Sequence, residues 1–283
     1  MADLPSASNT AQTHRVSVLI ASLGRSCLQT ALHSILCNEH VAFEVVLILD
    51  DPTASPERIL SAFSAEQRQR IRLLQNEKNL GITRSLNRGL AHCRGDIVAR
   101  LDDDDKFAPL RLQRVVELFD ANPDVDVIVT DTRVVDGTHA YRHRVPTTHE
   151  AIDSALQQRN VLVHSAFNVR RSALNRVGGY NDAFRFAQDF ELYLRLLRSG
   201  ARFLGVSEAL TERVEGDGTI TVSRRQHQAL YSLSALCLHH ASTWRGEQAQ
   251  IRAVCAAFAR FIAPRSLRKG VRWIRAVTRG GGR

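Results

Sequence analysis

Four consecutive aspartates, Asp102-Asp103-Asp104-Asp105, are the residues of this chain whose type and spacing most directly imply chemistry. Like charges this close repel, and each raises its neighbours' pKa unless a cation neutralises them. They follow the apolar run 97–99, which reads as a strand. Alternate side chains of an extended segment project the same way, so Asp102 and Asp104 can converge while Asp103 points elsewhere. Two convergent carboxylates form a hard-oxygen site for Mg²⁺ or Mn²⁺, ions that share their shell with substrate phosphates. A metal bridging a diphosphate there would neutralise charge developing on a leaving group. The competing reading is a solvated acidic turn, with Asp105 capping a helix that begins near Pro109.

The elements that must position this run are legible as an alternation. Runs 16–21, 45–49, 71–74, 97–99 and 125–129 are short, apolar and β-branched, as parallel strands covered on both faces must be. Between them, segments 28–36, 56–65, 83–92 and 109–122 read as helices. The pattern predicts an α/β fold, a doubly wound, mainly parallel sheet with right-handed crossovers and helices on both faces. Three of the strands run into acid, at Asp50-Asp51, at Asp102 and at Asp131. In such sheets the carboxyl ends of the strands border the ligand crevice, so these carboxylates are expected at one edge. Further on, 141–146 reads as an edge strand, 150–158 as a helix, 162–170 as extended and 189–198 as an amphipathic helix. Segments 226–240 and 247–262 read as a C-terminal helical extension.

The segment Ala99-Arg100-Leu101-Asp102-Asp103-Asp104-Asp105, followed by Pro109-Leu110-Arg111-Leu112, resembles the metal-binding DxD region of family 2 glycosyltransferases. The stretch from Asn76 to Leu90 resembles the family's NxGxxxAxNxG element, Gly178-Gly179-Tyr180-Asn181-Asp182 its GGYDE turn, and Gln188-Asp189 its ED-containing helix start. The four motifs occur in the family's order. The resemblance implies a GT-A fold with a catalytic domain over 14–222 and an extension over 223–283. It also implies inverting transfer from a UDP- or GDP-linked sugar with Mn²⁺ or Mg²⁺.

The roles implied are specific. Asp50 and Asp51 would hydrogen-bond the base, since a uracil N3–H or guanine N1–H needs an acceptor. Ser22 and Arg25 in the loop after the first strand, with Asn79, Gly81 and Arg84, would meet the nucleotide sugar. Asp102 and Asp103 would join them there, and Asp102 with Asp104 would hold the metal. Asp189 would be the general base for the acceptor hydroxyl, although a carboxylate opening a helix is also a good cap. His164 and Gln188 would lie on the acceptor side, with a buried structural histidine as the other reading of His164. Three positions depart from the family pattern: Leu23 where an aromatic ring would stack on the base, Gln188 where Glu is usual, and Glu215 where a metal-binding His is expected. Glu215 remains a competent hard-metal ligand. A nucleotidyltransferase would need a longer, glycine-rich loop than Ser22-Leu23-Gly24-Arg25. A binding module for anionic lipid or nucleic acid on an impaired transferase scaffold is the alternative from another class.

Composition bounds the rest. With 44% hydrophobic and 24% charged residues, the 283-residue chain is globular rather than disordered. The opening MADLPSASNTAQTHR has neither the basic nor the apolar region of a signal peptide, and no run approaches the length of a membrane span. Five scattered cysteines without a CxxC pair point to reduced thiols and a cytoplasmic setting. No RNA-binding aromatic pattern occurs, so nucleic acid is not an expected partner. The net charge of +9 is concentrated at the end. Residues 264–283 contain no acid, and Leu267, Val271, Ile274 and Val277 recur at helical spacing beside Arg268, Arg272, Arg275 and Arg279. That pattern suits an interfacial helix on anionic lipid at the inner face of a membrane, where a lipid-linked saccharide acceptor would reside; a solvated basic tail is the other reading. Deleting residues 264–283 is expected to release the protein from anionic vesicles in a co-sedimentation assay. Unchanged binding would refute a membrane role for the tail.

Overall fold

The computed structural model describes residues 15–215 and 225–242. Its strands are β1 (Val16–Ser22), β2 (Phe43–Leu49), β3 (Ile71–Gln75), β4 (Ile97–Arg100), β5 (Lys106–Phe107), β6 (Val127–Asp136), β7 (His139–His143), β8 (Phe167–Arg170) and β9 (Phe203–Glu215). They form one sheet in the order β3-β2-β1-β4-β8-β6-β9-β5, with β7 paired to β6. The first four are parallel, with Val18 beside Val45 and Ala99, and every residue of β1, β2 and β4 is buried. Beyond β4 the sheet is mixed: β8 is antiparallel to both β4 and β6, whereas β6 and β9 are parallel.

The helices are α1 (Cys27–Leu36), α2 (Pro56–Leu60), α3 (Ala65–Gln69), α4 (Ile82–Leu90), α5 (Arg111–Ala121), α6 (His149–Leu156), α7 (Arg171–Val177), α8 (Gln188–Arg198) and α9 (Arg225–Ser242). They cover both faces of the sheet, and each face has its own core. Leu28, Leu32 and Ile35 of α1 and Leu112, Val115 and Phe119 of α5 pack on Val18, Ile20, Val45 and Leu47. On the other side Leu86 of α4, Ile152 of α6, Leu174 of α7 and Phe190 and Leu194 of α8 pack on Leu19, Val46, Ile48 and Val98. Ala235 and Leu236 join α9 to this second core. No described helix is long and apolar enough to cross a membrane.

Several elements differ from their sequence reading for local reasons. The expected helix over 56–65 is two short helices, because Ser64 starts a second one in a reciprocal capping box with Gln67. The helix expected near Pro109 begins at Arg111 behind a left-handed Leu110 with no side-chain cap; Asp105 instead accepts the amide of Val214 at 3.2 Å. The strand expected over 125–129 runs on to Asp136. Asp131 is therefore an interior strand residue, buried, accepting the amide of Val145 at 2.8 Å and Arg142 Nε at 2.7 Å, and it does not sit at the carboxyl edge. The extended segment 162–170 is a 3₁₀ turn (His164–Ala166) followed by β8. The strand β9 was not foreseen: bulges opposite Thr130 and Asp131 break the alternation that would announce it. Segment 247–262 and the basic tail lie outside the described residues.

On β9, Gly205 passes so close to the 146–147 segment that an added Cβ would fall 1.9 Å from the Pro146 carbonyl oxygen. Backbone cannot yield there as a side chain can. Gly205→Ala is expected to destabilise the fold by about 1–3 kcal/mol, read as a lowered Tm in thermal denaturation; an unchanged Tm would show that the approach is slack.

Candidate active site

The site is assembled at the carboxyl edge of the parallel strands. β1 ends at Ser22, whose hydroxyl donates to Asp103 Oδ2 at 2.5 Å and accepts the amide of Gly24 at 2.9 Å. Gly24 takes φ 77°, so the loop turns tightly and aims Arg25 back across the strand ends. The Arg25 guanidinium pairs with Asp103 through Nη2 and through Nε at 3.3 Å, and reaches Asp104 Oδ2 at 3.3 Å. Asp103 is nearly buried in this embrace, whereas Arg25 keeps 43% of its side chain exposed. Leu23, in the same loop, is exposed.

β4 delivers Arg100, a fully buried side chain. Its Nη1 donates to Leu19 O at 3.1 Å and its Nη2 to Asp102 Oδ1 at 2.5 Å, while Nε has no partner. The other oxygen of Asp102 accepts Ser165 Oγ at 3.2 Å, and the Asp102 amide donates to that same hydroxyl at 3.0 Å. Although desolvation opposes ionisation of Asp102, Arg100 and its other neighbours hold its pKa below the ordinary value. Asp104 has the opposite balance. Burial, then the charges of Asp102 and Asp103, push it up against Arg25 and a backbone hydrogen bond. Asp105 is buried deeper; desolvation and Asp102 raise it to about 8, and its Oδ2 has no partner. The run is thus two paired carboxylates followed by two under-compensated ones.

Asp50 and Asp51 part company. Asp50 is buried and accepts Asn76 Nδ2 at 2.6 Å, the Leu80 amide at 2.8 Å and the Gly81 amide at 2.9 Å. Asn79 donates to the Asp50 carbonyl at 3.1 Å. Asp50, Asn79 and Gly81 therefore build the loop that starts α4, with both Asp50 oxygens accepting bonds within it. Asp51 is presented outward: one oxygen accepts the Thr53 amide and hydroxyl at 2.8 and 2.7 Å, and the second takes no bond among the described residues. Arg84 lies on the outside of α4, 3.6 Å from Asp182.

On the far side of the aspartate run, Ala187 adopts a left-handed backbone (φ 52°) and launches α8 with Gln188 and Asp189. Strain of this kind at a non-glycine residue collects at functional sites. Asp189 is half-buried and accepts Asn160 Nδ2 at 2.9 Å. Burial pushes its pKa up, against hydrogen bonds from the Phe190 amide and Asn160, and the Asp102 charge adds to the rise. His164 lies beneath: buried, Nε2 2.9 Å from Tyr180 Oη, its pKa driven down to about 3 by burial and by the Arg100 charge. His164 is thus a neutral structural partner of Tyr180. Glu215 ends β9, 3.6 Å from Arg213. Among the described residues no three acidic, His or Cys side chains are grouped to hold a metal, so Glu215 does not close a cage with Asp102 and Asp104.

Residues 17–184, more than half of the chain, match the model of glycosyl transferase family 2. The chain belongs to this family. It is 30% identical to a putative glycosyltransferase, EpsE, of Bacillus subtilis over 65% of this chain and 66% of that protein. It is 27% identical to the Escherichia coli UDP-Gal:alpha-D-GlcNAc-diphosphoundecaprenol beta-1,3-galactosyltransferase over 71% and 74%. Among solved structures, S. aureus TarS bound to UDP superposes with TM-score 0.62 at 15% identity, over 88% of this chain and 70% of that one. A mannosyltransferase of Pyrobaculum calidifontis, in complex with GDP-Man and Mn²⁺, gives 0.58 at 16%, over 94% and 81%. These likenesses show the fold, the GT-A architecture that the motifs implied.

Arg100, Asn160 and Ser165 join the candidate site through their bonds to Asp102 and Asp189, and the sequence assigns none of them a role. Arg100 lay within the aspartate motif as an apparent strand residue, and nothing in the spacing of Asn160 or Ser165 marks either.

Burial of His164 is expected to make the family 2 glycosyltransferase acid-sensitive. Below pH 6.5 the unfolded chain takes up a proton here that the folded protein refuses until about pH 3. Stability is therefore lost as pH falls through that window, by about 2 kcal/mol between pH 6.5 and 5. His164→Gln is expected to remove this component from urea unfolding measured across the range. An identical pH slope in the variant would disprove the assignment.

Proposed function

We propose that this family 2 glycosyltransferase moves a sugar from a nucleoside diphosphate donor to an acceptor hydroxyl, inverting the anomeric centre, in polysaccharide or glycoconjugate synthesis. The observation that supports it most is that Asn160 and Ser165, five residues apart, hydrogen-bond Asp189 and Asp102 and so bring both carboxylates to one site, with Arg25 lying across Asp103 and Asp104. Asp51 offers its outward oxygen to a base N–H, and Leu23 gives that base an apolar contact. Arg25, half-exposed across Asp103 and Asp104, is placed to meet a diphosphate as well.

The crowded carboxylates fit a divalent cation. Asp104 is pushed toward protonation by its neighbours, and Asp105 carries a buried oxygen without a partner, both signs of missing positive charge. Asp102 and Asp104 would hold Mn²⁺ or Mg²⁺, with donor phosphates and water completing the shell; when bound, the ion supplies positive charge for the departing diphosphate. Asp189, made more basic by burial, takes the acceptor's proton as its oxygen attacks the anomeric carbon from the side opposite the leaving group. Gln188 flanks the approach of the acceptor. The Escherichia coli relative is named for a lipid-diphosphate-linked saccharide acceptor. With the basic tail, this supports a lipid-linked acceptor and work at the cytoplasmic membrane face.

The deciding measurement is calorimetric titration with UDP and with GDP, each in Mn²⁺ and again in EDTA. One nucleotide is expected to bind only with metal, and Asp104→Ala to weaken it at least tenfold. Folded protein that binds neither would overturn the reading in favour of a module for anionic lipid or nucleic acid.

A further inference from the structure

Between α6 and β8 the chain makes two contacts whose spacing is informative. Asn160 Nδ2 donates to Asp189 Oδ2 at 2.9 Å, while its own Oδ1 accepts the Leu162 amide at 3.1 Å. The second bond orients the carboxamide, so the NH₂ end must face the carboxylate. Five residues later, Ser165 Oγ donates to Asp102 Oδ2 at 3.2 Å and accepts the Asp102 amide at 3.0 Å. One short segment therefore grips a carboxylate on each side of the site.

That segment is itself held along its length. The Val161 carbonyl lies 2.8 Å from His143 Nε2 of β7. Leu162 and Val163 are buried in the core, and His164 is tied to Tyr180. The Ser165 carbonyl accepts Arg111 Nη1 of α5 at 2.7 Å and Thr211 Oγ1 of β9 at 3.3 Å. Fixing reacting groups to within a fraction of an ångström is where such second contacts act.

We propose that residues 160–165 are a strut that sets the separation of acceptor base and donor-side carboxylate, with Asn160 the positioning residue for Asp189 and Ser165 that for Asp102. The proposal rests on the roles given above to those two aspartates. It predicts a separation of effects. Asn160 acts on the base without touching the donor; Ser165 acts on donor binding without touching the base. Apart from Asn160, the groups facing Asp189 are the Phe190 amide, the Asp102 carboxylate and the uncharged phenols of Tyr180 and Tyr193, with Arg100 behind Asp102. Removing the Asn160 amide leaves the repulsion from Asp102 less opposed, so the base should bind its proton more tightly.

The test reads both ends of the strut in the intact protein. Titration of ¹³C-labelled aspartate carboxyls by NMR, with Asp189 assigned through Asp189→Asn, follows the base without any substrate. Calorimetry with Mn²⁺ plus UDP and Mn²⁺ plus GDP follows the donor side. In Asn160→Ala, and in Asn160→Ser, whose side chain is too short to reach, the Asp189 midpoint is expected to move upward while nucleotide affinity stays within about twofold of wild type. In Ser165→Ala, affinity is expected to fall about tenfold, the size of one hydrogen bond to a charged group, with the Asp189 midpoint unmoved. An unmoved Asp189 midpoint in both Asn160 variants, or the same pair of changes in the Asn160 and Ser165 variants, would overturn the strut. Donor turnover with water as acceptor separates this from the reading beneath it. If Asp189→Asn hydrolyses UDP-GlcNAc, UDP-Gal or GDP-Man at the wild-type rate, the base assignment fails whatever Asn160 does.

Discussion

Four carboxylates at the end of one central strand repel one another, and the surrounding structure is organised by where the compensating charge comes from. Arg25 reaches in from the loop after β1 and covers Asp103. Arg100 rises from within β4 and holds Asp102. Arg100 is fully buried with an unpartnered Nε, and an arginine does not deprotonate at any physiological pH. Without Asp102 it would be a lone charge in the core, and without Arg100 the carboxylate would lose its closest cation, so each holds the other in place. Among the cations of the described residues, Asp104 is left with only a share of Arg25. The deficit falls at the one aspartate of the run that is open to a ligand yet held by no cation of its own. A resident arginine on every carboxylate would have made the site stable and inert.

The sheet's change of direction explains how Asn160 and Ser165 reach the same edge. A purely parallel sheet brings only the carboxyl ends of its strands there. β8 runs antiparallel between β4 and β6, with Asn168 beside Ala99 and Arg170 beside Ile97, so its amino end lies next to the end of β4. Whatever precedes Phe167 is therefore delivered to the aspartates from the opposite direction. The segment from Asn160 to Ser165 occupies that place. The long parallel pair of β6 and β9 then carries Thr211 and Val214 back past the same point, where they hold Ser165 and Asp105. Buried Arg111, packed over the Phe107 ring at 3.9 Å, links Ser165 and Asn168 from beneath.

What could be read from the sequence follows from which forces act locally. The β1–β4 alternation was legible because parallel strands buried on both faces must be continuously apolar, and the acidic run because no ordinary turn explains it. The amphipathic helix α8 announced itself by its period. Asp131 was misplaced because an apolar run does not reveal where a strand ends when bulges and an edge partner extend it. β5 and β9 were missed because a two-residue strand has no period and a bulged one has a broken period. Asp50 shows a subtler limit. Its residue type fits a base contact as well as it fits a loop anchor, and only the positions of the Leu80 and Gly81 amides reveal the second. Asn160 and Ser165 lie beyond sequence reading for the same reason. Each acts through one hydrogen bond across the fold, 29 and 63 residues from its partner.

The departure at Gln188 has a physical meaning once its neighbours are placed. The first turn of α8 contains two carboxylates, Asp189 and Glu191. Glu191 is paired with Arg195 one turn on, at 2.9 and 2.8 Å, and is thereby removed from the chemistry. Asp189 has only neutral donors for partners. A glutamate at position 188 would set a second anion beside it and raise its pKa further, on top of the burial and the Asp102 charge that already do so. Glutamine avoids that addition while keeping a side chain of the same length and polarity. Burial and the Asp102 charge then remain the contributions that raise Asp189, against the Phe190 amide and Asn160. On this argument the glutamine spares Asp189 a further anionic neighbour, and the balance at the proposed base is set by burial, the Asp102 charge and the hydrogen bonds from the Phe190 amide and Asn160.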